Sequence, residues 1–278
     1  MTVLVTGVRG RVGGAVWRGL REAGVAVRAA SGAPETAGAP AGEPPVRLDL
    51  GEPGGFAPAL DGVRKVFLYA RAETAESFAR QALAAGVEHV VLFSSLAIDE
   101  DGAEDNPIAR LHQGAEDALR ASGPAWTFLR AGALASNALQ WAEGIRAGRG
   151  VRVAYPDTYS EPVHEDDVAE VAVRALLGDA HRGEVLRITG PESLSARRQA
   201  ELIAAAAGVP VPVERIERAE HRASLTGSLP EPIVDFLLDF QRKRDGLPGS
   251  PLPDTERVLG RGAAPFAQWA REHAAAFR

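Results

Sequence analysis

From the N-terminus to about residue 190, the chain alternates short unbroken apolar runs with stretches of helical period. Val3-Leu-Val5 is followed by Val25-Ala-Val-Arg-Ala29, Val46-Arg-Leu-Asp-Leu50 and Lys65-Val-Phe-Leu-Tyr-Ala70. Val87-Glu-His-Val-Val-Leu-Phe-Ser-Ser95 and Ala125-Trp-Thr-Phe-Leu-Arg130 complete the series. Runs of this length, poor in strict polar alternation, predict strands buried on both faces. Helices are predicted from Ala15, over 73–85 with Gly86 as stop, and over 107–121 with Ser122-Gly123 as stop. Strands alternating with helices predict an α/β fold built on a doubly wound parallel Rossmann-type sheet. Residues 30–45 are rich in Ala, Gly and Pro and are predicted to be a loop.

Beyond Gly132 the pattern changes. A short helix over 136–146 carries Trp141, a strand is predicted over 151–154, and the following loop holds Tyr155 and Tyr159. Helices are predicted over 162–177, 195–207, 230–244 and 265–277, with one more strand over 184–189. The division predicted is a Rossmann-type domain over 1–132 and a smaller α+β lid region over 133–278. The strand at 184–189 is expected to return to the main sheet. There is no internal repeat and no apolar stretch long enough to span a bilayer.

Candidate chemistry begins where the first strand ends. Thr6-Gly7-Val-Arg-Gly10-Arg-Val-Gly13-Gly14 joins that strand to the first helix. Amide N–H groups at a helix start, the positive end of its dipole and missing side chains together make a pyrophosphate site. A glycine triplet alone is weak evidence; between an N-terminal strand and a helix it predicts a dinucleotide cofactor. In a doubly wound sheet the ligand meets the carboxyl ends of the strands. That rule nominates Gly7, Asp49 and Ala131-Gly132 among others, and the cofactor candidates also include Arg9, Gly10, Arg11, Val12 and Gly13 in the turn, Arg28 and Ser31 at the second strand, and Leu50 after the third. Ala70 and Arg71 follow the fourth strand, and Ser94 and Ser95 end the fifth. No acid follows the second strand before Glu35, where NAD would want one for its ribose hydroxyls. Arg9 and Arg28 are candidates for the 2′-phosphate of NADP. NADPH is therefore the expected cofactor, with NAD the alternative.

Charge and composition remove several function classes. A formal net charge of −6 offers no basic surface for nucleic acid. Cysteine is absent, so there are no disulfides and no thiolate metal sites. With no basic leader and no membrane span, a soluble cytoplasmic protein is expected. Two lysines against 31 basic residues in all reflect a GC-rich coding sequence. The acidic stretch Asp99–Asp105 lacks calcium-loop spacing and reads as a solvated loop. His164-Glu-Asp-Asp167 reads as a dipole-matched helix start, and no metal is expected there. The sequence does not choose between monomer and homodimer.

Several stretches resemble the NmrA-like branch of the atypical short-chain dehydrogenase/reductases. They are Val5-Thr-Gly-Val-Arg-Gly-Arg-Val-Gly13, Leu48-Asp-Leu50, Ala85 to Ser95, Ala115 to Gly123 and Trp126 to Arg130, with looser matches at Val163 to Ala169 and Ile188 to Pro191. The resemblance implies that Gly7, Gly10 and Gly13 hold the pyrophosphate and that Asp49 contacts adenine. Relatives often carry an arginine just after the second strand; here that position is Gly32, which moves the 2′-phosphate onto Arg9 and Arg28.

Typical members reduce carbonyls with a tyrosine and a lysine four residues later. The equivalent positions here are Ile108 and His112. Tyr69, Tyr155 and Tyr159 are the only tyrosines, and none stands four residues before Lys65 or Lys243. The missing pair makes the chain resemble, within the branch, angucyclinone ketoreductases of the simocyclinone-pathway type, which belong to antibiotic biosynthesis. Three readings follow: a reductase with another proton source, a nucleotide-sensing regulator of NmrA type, and an isomerase or lyase. The reductase reading is preferred, with an aromatic polyketide-like ketone or quinone as substrate. Its proton would come from His112, from Ser95 through water, or from a substrate hydroxyl.

Overall fold

The structure is a computed structural model that describes residues 1–33, 45–227 and 229–278. Most of the 30–45 loop expected from the sequence, Glu35 included, lies outside those residues. In chain order the first elements are β1 (Thr2–Val5), α1 (Arg11–Glu22), β2 (Ala26–Ser31), β3 (Val46–Arg47), α2 (Phe56–Leu60) and β4 (Val63–Tyr69). They continue with α3 (Ala72–Ala84), β5 (His89–Ser95), α4 (Pro107–Ser122) and β6 (Ala125–Ala131). Next come α5 (Ala142–Arg146), β7 (Val151–Val153), β8 (Tyr159–Ser160), α6 (Glu165–Leu177), β9 (Val185–Ile188) and β10 (Leu194–Ser195). The last are α7 (Ala196–Ala207), β11 (Val213–Arg215), α8 (Arg218–Thr226), α9 (Glu231–Arg244), α10 (Asp254–Leu259) and α11 (Phe266–Glu272).

Two compact units result. The first holds 1–131, 165–188 and 257–259. Its seven strands run parallel in the order β3-β2-β1-β4-β5-β6-β9, so the chain starts mid-sheet and reverses its direction of winding between β3 and β4. That reversal creates a crevice at the carboxyl end of β1, where an open α/β sheet takes its ligand. Val3, Leu4 and Val5 are fully buried because β1 is flanked by β2 and β4 and covered on both faces. Phe56, Phe78, Leu92, Leu119 and Phe128 fill one layer of this core.

The predicted lid boundary at 133 differs from this division, because α6 also lies in the first unit. Its acidic first turn, Glu165 to Asp167, suits the helix dipole. At its other end Lys65 Nζ donates to the Leu176 carbonyl at 2.7 Å and to the Gly178 carbonyl at 3.3 Å. On the α1 side, a methyl on Gly19 would meet Val173 at 3.1 Å, so glycine there permits the close helix approach.

The second unit holds 132–164, 189–256 and 260–278. Its core gathers Ile145, Val151, Ile203, Phe266, Trp269 and Phe277. Two small ribbons, antiparallel β8 with β10 and parallel β7 with β11, brace it. The predicted helix over 136–146 is a 3-10 turn from Ala135 to Trp141 before α5 begins. The third predicted strand is also shortened: β3 stops at Arg47, which leaves Asp49 in a turn instead of on a strand. Among the described residues no helix is long and apolar enough to cross a membrane.

Candidate active site

The glycine turn of the first unit is a backbone cradle. Gly7 has φ +63°, a left-handed conformation that suits glycine. A methyl there would strike the Tyr69 ring at 2.6 Å, and one on Gly13 would strike the Gly7 carbonyl oxygen at 2.4 Å. The Gly10 N–H donates to the Gly7 carbonyl at 2.8 Å and closes the loop onto α1. Gly10 N-caps that helix without a side chain, so the cap itself supplies no side-chain acceptor to the first-turn amides. These features fit the pyrophosphate of a dinucleotide. Arg9 and Arg11 stand exposed on the turn, whereas the Val12 side chain is buried and contributes only its amide there.

Tyr69, which the sequence reading passed over, seats this cradle. Its amide donates to Thr6 Oγ1 at 3.0 Å, and its hydroxyl accepts from the Gly13 N–H at 3.3 Å. Phe93 meets its ring edge-on at 5.2 Å, and burial pushes its pKa up. It is a neutral phenol that shapes the turn. Its position at the carboxyl end of β4 was the signal available in the sequence.

Beside β2, the hydroxyl of buried Ser31 accepts from the Ala33 N–H. A methyl on Gly32 would lie 3.8 Å from the Asp49 carboxylate, and Asp49 Oδ1 accepts from the Gly51 N–H at 2.7 Å. Arg71 reaches the same corner: a methyl on Gly51 would lie 3.1 Å from its guanidinium and 3.2 Å from Asp49. Leu50 and Ala70 pack on the core rim there, and Thr74 Oγ1 donates to the Leu50 carbonyl. Ser31, Asp49, Leu50, Ala70 and Arg71 are thus brought together. Arg28 is not. Its guanidinium donates to the Ala59 carbonyl at 2.8 Å and the Asp61 carbonyl at 2.7 Å, because it sits mid-strand beside the end of α2. The expectation that it reaches a 2′-phosphate is corrected accordingly: its Nη1 is held by two carbonyls near the end of α2.

Ser94 is corrected in the same way. It is buried and donates to Glu116 at 2.6 Å, so its hydroxyl serves the interior. Fully buried Glu116 also accepts from Arg130 Nε at 2.9 Å, from Arg130 Nη2 at 2.6 Å and from Arg120 at 2.9 Å. Asp99 bridges Arg130 to Arg187, so one ion network ties β5, α4, β6 and β9 together. Hydrogen bonding to Glu116 is the main reason the Arg130 pKa is raised. A lone arginine closing an apolar strand run was the signal for this network.

Ser95 Oγ accepts from the Ala97 N–H at 3.2 Å. Its proton remains available to an acceptor. His112, one turn before Glu116 on α4, is largely buried, and desolvation outweighs the Glu116 charge to bring its pKa down to about 4. Its Nδ1 has no hydrogen-bond partner among the described residues. At neutral pH this is an uncharged imidazole, not a stored proton. Neither Lys65 nor Tyr69 replaces the missing pair: the lysine is bound to the end of α6, and the tyrosine lies under the glycine turn.

The second unit contains a cavity of about 350 Å³. Trp141, Val153, Tyr155, Leu237 and Phe240 give it apolar walls, with Gln199 and His221 among the polar contributors. Tyr159, expected with Tyr155, is not among its lining residues. Among the described residues, no cluster of histidines and carboxylates could hold a metal, as His164 instead meets Glu272 at 2.8 Å.

Comparison with known proteins agrees with this geometry. Residues 7–179 match the family described as NAD(P)H-binding. A (4-alkanoyl-5-oxo-2,5-dihydrofuran-3-yl)methyl phosphate reductase of Streptomyces griseus is 38% identical over 99% of both chains. An NAD(P)H azoreductase of Xenophilus azovorans is 32% identical, again over 99% of each. Among solved structures, the NADP(H) complex of Citrobacter sp. triphenylmethane reductase superposes with a TM-score of 0.80 at 18% identity, covering 99% of this chain and 100% of that one. The chain belongs to the NAD(P)H-binding family.

Proposed function

We propose that this member of the family, an NAD(P)H-dependent oxidoreductase, transfers hydride to a flat, uncharged, conjugated acceptor. The acceptor class is a quinone or a ring ketone of the aromatic polyketide kind, angucyclinones included. One observation carries the reading: among the described residues of the first unit, no tyrosine–lysine pair stands at the site, and His112 is uncharged at neutral pH. The usual tyrosine position is Ile108, and burial holds His112 near 4.

An isolated ketone that receives hydride becomes an alkoxide and needs a proton donor at once. A conjugated acceptor spreads the incoming electron pair over its own π-system and takes its proton from water afterwards. The overall change balances as quinone plus NADPH plus a proton giving hydroquinone plus NADP⁺. When bound, the nicotinamide supplies the hydride, and the protein's task is to bind and orient. The Gly7–Gly13 cradle takes the pyrophosphate, Asp49 the adenosine end, and Ser95 offers a hydroxyl at the carboxyl end of β5. Neutral His112 can hydrogen-bond an acceptor oxygen without protonating it. The named substrates of the two relatives, an oxo-dihydrofuran and azo compounds, are also unsaturated.

NADPH is the preferred donor, with Arg71 and Arg9 as candidate partners for its 2′-phosphate. Arg71→Ala should raise the KM for NADPH about tenfold and leave that for NADH within twofold, the loss expected of one charge-assisted contact. The functional test is NADPH consumption with 1,4-naphthoquinone against cyclohexanone. Turnover of the quinone alone supports the reading. Equal turnover of cyclohexanone overturns it, and tight NADPH binding without turnover of any conjugated acceptor would mark a nucleotide-sensing regulator instead.

A further inference from the structure

Among the described residues lining the second unit's cavity none is an acid, lysine or arginine, and one of its walls is a histidine whose tautomer the backbone fixes. His221 lies on α8 and is 5% exposed. Its Nδ1 accepts a hydrogen bond from the Ala154 N–H at 3.2 Å, just beyond β7. A ring nitrogen that accepts carries no proton, so in the neutral imidazole the hydrogen sits on Nε2. Among the described residues no acceptor meets Nε2, which leaves that N–H for a ligand's acceptor. Nearby, Gln199 Nε2 already donates to Ser160 Oγ at 3.2 Å and to the Leu194 carbonyl at 3.3 Å. Gln241, also on the wall, has a buried Oε1 without a partner among the described residues.

We infer that His221 is a specificity residue: its Nε2–H donates to an acceptor oxygen on an uncharged aromatic ligand held in the second unit's cavity. The cavity stands at the lower end of small-molecule sites, which run from about 300 to 1,000 Å³. Trp141 and Phe240 supply aromatic surface, and His221 supplies direction. Among the described residues no lysine or arginine lines the cavity to pair with a phosphate ester, and burying an unpaired dianion there is strongly unfavourable. The cavity therefore selects against phosphorylated ligands, in contrast to the substrate for which the Streptomyces relative is named.

This inference rests on the reductase reading for the identity of the ligand, and its test is independent of turnover. Quenching of tryptophan fluorescence would be titrated without nucleotide, using 1,4-naphthoquinone, naphthalene and 1-naphthyl phosphate, with Trp141→Phe identifying the signal of the cavity. The expected order is naphthoquinone tightest, naphthalene about five- to tenfold weaker, and the phosphate weaker still. In His221→Asn the side-chain oxygen takes the place of Nδ1 and keeps the Ala154 contact, while the donor is lost. That variant should keep its melting temperature and bind naphthoquinone only as well as naphthalene. His221→Gln does the reverse, keeping a donor near the Nε2 position and losing the Ala154 contact. It should melt earlier and retain the preference for naphthoquinone. Wild-type naphthoquinone affinity in His221→Asn, or phosphate binding as tight as quinone binding, overturns the inference. Intact quinone binding with no NADPH consumption counts against the reductase reading alone.

Discussion

The two binding regions are built from opposite materials. The cradle of the first unit is backbone: Gly7, Gly10 and Gly13 matter because they lack side chains, and their amides and carbonyls set its shape. The cavity of the second unit is side chain throughout, with Trp141, Phe240 and His221 contributed by separate elements. A dinucleotide's phosphates can be recognised by any sequence that folds this turn. An apolar acceptor can be recognised only by particular side chains. The difference teaches where change is tolerated: the first region resists the smallest addition, while the second can be respecified one residue at a time.

The sharpest challenge to that contrast is Glu116, because it makes the first unit depend on a side chain after all. Glu116→Ala leaves Arg130, 8% exposed, without its main partner. Breaking a buried pair this way costs about 3–5 kcal/mol. At about 2–4 °C per kcal/mol for a chain of this size, melting should fall by roughly 10 °C. A fall of less than about 2 °C by calorimetry would show the network to be dispensable.

Gly13→Ala tests the backbone claim itself. Its methyl would overlap the Gly7 carbonyl oxygen at 2.4 Å and the Thr6 carbonyl oxygen at 2.8 Å. Overpacking of this kind costs about 1–3 kcal/mol, so NADPH affinity should drop about 10- to 100-fold by calorimetric titration. Quinone binding in the second unit should be unaffected. Equal NADPH affinity would mean the cradle is not the pyrophosphate site.

His112 comes next. His112→Ala should leave NADPH affinity within about twofold and lower kcat by less than about tenfold, since general acids contribute 10²- to 10⁴-fold where they act. A loss of 100-fold or more would restore histidine as the proton donor. The pH dependence of stability is a companion test. His112 and His89 both fall from 6.5 to about 4, chiefly because burial disfavours their charged forms. Between those values the unfolded chain binds more protons, so both histidines make stability fall as pH drops from 6.5 towards 4, with no effect above 6.5. His112→Gln should flatten that acid slope in melting temperature measured against pH. An unchanged slope would place the titration elsewhere.

The smallest effect belongs to Arg28→Ala. Loss of its contacts to the end of α2 should cost about 1 kcal/mol, with NADPH affinity unchanged by titration. A tenfold loss of affinity would return Arg28 to the nucleotide site.

Much of the first unit was legible before any coordinates. The sheet and the glycine turn are local in sequence: an apolar run, then Thr6-Gly7, then a helix start. Local periodicity and glycine placement report directly on backbone conformation. The side-chain functions were less legible. Arg28 and Arg71 are alike as letters, yet one ends on the carbonyls of Ala59 and Asp61 and the other beside Asp49. Ser94 and Ser95 are neighbours, yet alternation along a strand sends the first into Glu116 and leaves the second to cap the next turn. Tyr69, Glu116 and His221 acquired their roles through contacts that join distant parts of the chain.

By itself, then, the sequence determined the winding of the sheet, the glycine turn and the absence of a tyrosine–lysine pair, because each is written in consecutive residues or in their absence. Only the tertiary structure decided which charges are buried and paired, where α6 belongs, and that one imidazole on a cavity wall accepts the Ala154 N–H. Those outcomes depend on burial and partner geometry, which arise when segments far apart in the chain are packed against one another.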